Sequence, residues 1–106
     1  MSSNRRLGNQ AEAFVAALLA QENPECLVVP LQQDYGADLA ILDVPLAGWC
    51  FVEVKSSKLR RQALKCKLSD SEKALQARVG SRYLIVRVLR KPGRPKDTYE
   101  VLSRGA

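Results

Sequence analysis

With 106 residues, 46% apolar and 26% charged side chains and a net charge of +6, the chain has the make-up of one globular domain, 1–106, with a single core. It has no histidine, which removes the commonest general base and the Ser–His and Cys–His nucleophile pairs; Cys26, Cys50 and Cys66 stand singly, too few soft ligands for a zinc site. No apolar run reaches the roughly 18 residues of a membrane span, and MSSNRRLGNQ has no apolar stretch behind its arginines, so the expectation is a cytoplasmic protein with small, reduced core cysteines.

Leu7, Ala11, Phe14, Val15, Leu18 and Leu19 recur at helical spacing and predict an amphipathic helix over about 4–21, which Asn23-Pro24 ends. CLVVPL (26–31) predicts a short strand whose Pro30 suits a sheet edge. QQDYG (32–36) predicts a turn that accounts for Gln32, Gln33 and Tyr35. ADLAIL (37–42) and WCFVEVK (49–55) predict a hairpin closed by DVPLAG. Leu64, Cys66 and Leu68 alternate with Lys65 and Lys67, which suggests a short extra strand. Ser69-Asp70-Ser71-Glu72 reads as a capping box opening a helix to about 79, stopped by Gly80. RYLIVRVL (82–89) has the near-continuous apolar character of a central strand covered on both faces. KPGRPKD predicts a basic turn and TYEVLS a last strand. Helices on both sides of a β-meander imply an α/β fold with a mixed central sheet flanked by helices.

Charge divides the chain. Residues 1–53 carry a net −5 and residues 54–106 a net +11. Between Lys55 and Lys67 lie six cations (Lys55, Lys58, Arg60, Arg61, Lys65, Lys67) and no anion. Such a block suits a polyanion, and Arg94 and Lys96 in the later turn add to it.

In the hairpin, side chains alternate, so Glu53 and Lys55 share one strand face while Cys50, Val52 and Val54 take the other. Asp38 opens the preceding strand, and the hairpin brings it beside Glu53. Two neighbouring carboxylates repel unless a cation lies between them, and oxygen-only ligands suit Mg²⁺ or Mn²⁺. Lys55 then stands where it can help activate water or hold negative charge at phosphorus. Ser56 and Ser57 read as turn formers, and Trp49 and Phe51 as core residues.

With GNQAEAFVAALL (8–19), DYGADLAIL (34–42) and FVEVKSS (51–57) in this order, the chain resembles the PD-(D/E)xK nuclease superfamily over about residues 7–89. LSDSEKAL and RYLIVRV bring it nearest the resolvase-like, Mrr-like or NO VEIN C-terminal-like branches. The resemblance implies a restriction-endonuclease-like α-β-β-β-α-β core. It also implies Mg²⁺, replaceable by Mn²⁺, on Asp38, Glu53 and the Val54 carbonyl. Lys55 becomes the catalytic lysine, and Glu12 an acidic residue reaching the metal site. Ala37 stands where the family name has proline. The implied function is a metal-dependent DNA endonuclease acting on branched or duplex DNA, RNA not being excluded, as a homodimer or within a larger assembly. The alternative is a binding module of the same fold without catalysis.

Overall fold

The computed structural model describes residues 3–31, 36–43 and 48–105, with side chains from residue 10 onward. In chain order the elements are α1 (Ser3–Glu22), β1 (Cys26–Pro30), β2 (Leu39–Asp43), β3 (Gly48–Ser57), α2 (Arg60–Leu64), α3 (Asp70–Val79), a 3₁₀ turn (Gly80–Arg82), β4 (Tyr83–Lys91) and β5 (Thr98–Gly105). The five strands form one mixed sheet in the order β1-β2-β3-β4-β5. β1, β2 and β3 are an antiparallel meander, β4 runs parallel to β3, and β5 returns antiparallel to β4. A parallel neighbour needs a crossover, and the chain from α2 through α3 supplies it. Proline-ended β1 lies at the sheet edge, where its missing N–H interrupts no central ladder.

The sheet has two differently furnished faces. Ala11, Val15 and Leu19, one stripe of α1, pack with Leu39, Val52, Val86 and Val88. Opposite, Ala37, Tyr83 and Ile85 meet Phe51, Leu68 and the α3 residues Leu75 and Val79. β4 contributes to both layers, Val86 and Val88 to the first and Tyr83 and Ile85 to the second, as its apolar run, interrupted only at Arg87, predicts. Among the described residues, no helix is long and apolar enough to cross a membrane.

Four local readings change. Residues 64–68 form no strand: Arg60–Leu64 is a single helical turn whose Ala63 is fully buried, and Leu64 stays 47% exposed, so the Leu-Cys-Leu alternation is not a buried face. β3 does not stop at Lys55 but continues through Ser57, so Ser56 and Ser57 are strand residues, held by pairing with β4. Trp49 is 40% exposed, because the start of β3 lies outside the cover of α3. The three cysteines are free and only partly buried. Gln32, Gln33 and Tyr35 lie outside the described residues.

Candidate active site

The site grows from unequal strand lengths. β2 enters its ladder with β3 at Leu39 opposite Val52, while β3 runs five residues further. Past that point β3 has β4 on one side and no β2 on the other. Asp38 fills the first position of this notch. Its N–H donates to the Val52 carbonyl, its own carbonyl accepts from Leu31 N–H, and its Oδ2 accepts from Val54 N–H at 2.7 Å. The carboxylate thereby satisfies a strand amide that β2 no longer reaches. Backbone groups two residues apart in a strand point the same way, so the Val54 carbonyl faces the notch that holds Asp38.

Acidic side chains reach this notch from three elements. Glu12, half-buried on α1, hydrogen-bonds Asp38; burial, then this bond and the Asp38 charge, raise its pKa to about 7. Glu53 is 5% exposed. Burial pushes its pKa up to about 10, helped by the Asp38 charge and by hydrogen bonds to Glu72 and Asp38. Carboxyl groups that keep protons at neutral pH relieve crowded negative charge with H⁺, and a divalent cation relieves it in the same way.

Lys55 completes the cluster. Its Nζ lies 3.6 Å from Glu53 Oε2 and donates to Glu72 at 2.8 Å (Oε1) and 3.0 Å (Oε2). Burial works against the ammonium, but the Glu72 hydrogen bond and the Glu53, Glu72 and Asp38 charges outweigh it and lift Lys55 above its ordinary range. Glu72 mirrors this. Burial raises it, yet the bonds from Lys55, the Ser69 amide and Glu53 hold its carboxyl below the usual value. Lys55 is therefore a held cation.

Asp38, Glu53, Lys55 and Glu12 thus come together, and the Val54 backbone borders them. Among the described residues, no three acidic or sulfur side chains are already spaced as a metal cage. The carboxyls are engaged with each other, with Val54 N–H and with Lys55. Their chemistry still fits a hard cation, because every donor is oxygen and two of the acids hold protons that an ion would displace.

Two contributors were not recognised in the sequence as parts of the site. Glu72 was accounted for by the capping box, which is present: Ser69 Oγ accepts from Glu72 N–H, and Glu72 Oε1 accepts from Ser69 N–H at 2.6 Å. Gly36 is the second. Its φ is +96°, and a Cβ there would meet the Ser71 carbonyl oxygen at 2.5 Å and Leu75 Cβ at 2.9 Å. The fully buried Tyr83 donates its hydroxyl to the Gly36 carbonyl. Backbone contact with α3 therefore supports the chain just before Asp38, and glycine is what allows it.

Of the basic candidates, Lys58, Arg61, Lys65 and Lys67 are exposed on and around α2. Arg60 is exposed too, but it pairs with Glu100 at 2.8 Å, and Glu100 also holds Lys91. Its charge is already partnered within the chain. Arg94 and Lys96 are exposed in the β4–β5 turn. Because β3 and β4 are parallel, the exit toward α2 and this turn lie at the same end of the sheet, beyond Lys55. Compared with protein-family models, with curated proteins and with solved structures, the chain gives no significant match to any of them.

Proposed function

We propose that the chain is a metal-dependent DNA endonuclease of the PD-(D/E)xK type. The observation that carries this is the convergence of Glu12, Asp38 and Glu53 on one notch, with a charged Lys55 3.6 Å from Glu53. The arrangement of α1, the antiparallel β1-β2-β3 meander and β4 parallel to β3 supports the restriction-endonuclease-like reading. Asp38, Glu53, the Val54 carbonyl and Glu12 would hold Mg²⁺ or Mn²⁺. Such an ion, when bound, supplies Lewis acidity toward a phosphate oxygen.

The chain's own groups do the rest. Asp38, tied to Val54 N–H, fixes one ligand direction on the rigid sheet. Lys55 carries a fixed positive charge beside the reacting phosphate, where negative charge grows during phosphodiester hydrolysis. With its ammonium held charged, it serves as a donor and not as a base that strips a proton from water. Lys58, Arg61, Lys65, Lys67, Arg94 and Lys96 offer phosphate contacts at the sheet end beyond the site. One chain brings one such site and a duplex has two strands, so a homodimer or a larger assembly follows for double-strand cutting.

The test is cleavage of duplex, four-way-junction and single-stranded DNA, and of RNA, with Mg²⁺ or Mn²⁺ against EDTA. Wild type should cut in a metal-dependent manner, and Lys55→Ala should lose on the order of 10²–10³ in rate while retaining DNA affinity. If both proteins shift DNA in a gel and neither cuts any substrate, the chain is a binding module of this fold.

A further inference from the structure

We infer that Glu72 is the positioning residue for Lys55: its carboxylate grips the ammonium from α3 and fixes where the site's cation stands. The inference rests on the nuclease reading for its consequence, though not for its geometry.

Capping does not account for this side chain. A capping box needs one acceptor at the third helical position, and glutamine serves there as well as glutamate. Here one oxygen takes both the Ser69 amide and Lys55 Nζ, and the second oxygen takes Lys55 Nζ again. The residue is 7% exposed, although its two neighbours on either side, Ser71 and Lys73, are exposed. A buried full charge needs a partner of opposite sign, and Lys55 is the cation in contact with it.

The geometry also meets a need that lysine creates. Lysine carries its charge on a flexible four-carbon stem, and an untethered ammonium samples many positions. Two of its three N–H groups go to Glu72, which leaves one for the site. Glu53, at 3.6 Å, is beyond hydrogen-bond length, so the two short bonds to Glu72 set the ammonium's place. The clamp joins residues 17 positions apart, so it is also a tertiary link between β3 and α3.

Glu72→Gln separates the two roles, since it keeps a capping acceptor and removes the charge. Two measurements apply. Competitive acetylation read by mass spectrometry should show Lys55 as the slowest lysine to react in wild type, its rate rising about tenfold in Glu72→Gln toward those of exposed Lys58 and Lys65. In the Mn²⁺-dependent cleavage assay, kcat should fall roughly 10–100-fold with KM for DNA nearly unchanged, the size typical of losing a residue that orients an active-site group. Ser69→Ala, which weakens the cap alone, should leave both readouts near wild type. Glu72→Asp, a shortened anion, should fall between wild type and Glu72→Gln, and it replaces the amide variant if that fails to fold. Unchanged Lys55 reactivity in the Glu72 variants, or cleavage within twofold of wild type, overturns the inference. So does a Ser69→Ala variant that loses as much activity as Glu72→Gln. If no protein cuts DNA but the reactivity difference stands, the nuclease reading fails and the clamp survives.

Discussion

The two faces of β3 are built from alternate residues of one strand and serve opposite ends. Toward α1, Val52 and Val54 meet Val15, Leu39 and Val86 in an apolar layer. Toward α3, Phe51 packs with Tyr83 and Ile85, and then Glu53 and Lys55 follow where apolar side chains would have continued the layer. α3 brings its own charge to them in Glu72. The α1 face is thus a source of stability, and the α3 face uses part of that stability to keep ionisable groups out of water.

That contrast can be broken most strongly on the α1 side. Leu39→Ala removes a 1%-exposed side chain from the apolar layer and should destabilise the protein by about 2–5 kcal/mol in urea denaturation. Gly36→Ala comes next. It forces a side chain into a positive-φ position and against the Ser71 carbonyl, so about 2–4 kcal/mol should be lost and Asp38 displaced relative to α3.

The acidic cluster at the notch should respond with the opposite sign. Glu53 and Glu12 both hold their protons in the folded, metal-free chain at pH values where the unfolded chain releases them. Stability should therefore be greatest below about pH 4.5 as far as these two groups decide it, and it should decline as pH rises. Glu12 ends its share near pH 7, while Glu53 continues toward about pH 10. Glu53→Gln should remove the decline above pH 7 and make the metal-free protein more stable at pH 8, even as it removes the proposed cleavage. Urea titrations with EDTA across this range check the slope. The smallest effect belongs to the exposed fork of Arg104 on Glu22; Arg104→Ala should leave the midpoint unchanged within error.

Much of this was legible in the chain itself, and the gaps have physical reasons. α1, the β2–β3 hairpin and the doubly covered β4 follow from periodicities long enough to be unambiguous. Asp38, Glu53 and Lys55 were found because a hairpin makes neighbours of residues that are close in sequence. α2 was misread because a helix of five residues is too short to display a 3.6 period, and its exposed Leu64 imitates strand alternation. Glu72 escaped for a different reason. Its local role explained it fully, and only the folded chain brings it to Lys55. The overhang of β3, which opens the notch, depends on where β2 begins, and no residue within β3 marks that point.

The hydroxyl of Tyr83 has a mechanical consequence. It braces the carbonyl of Gly36 from the foot of β4, while Gly36 itself rests on the first turn of α3. The approach to Asp38, the helix bearing Glu72 and the strand beneath them form a three-legged frame. Widening the notch on one side alone would shear that frame, so slow amide exchange should report Asp38 and Lys73, whose N–H groups are bonded on either side of it, opening together.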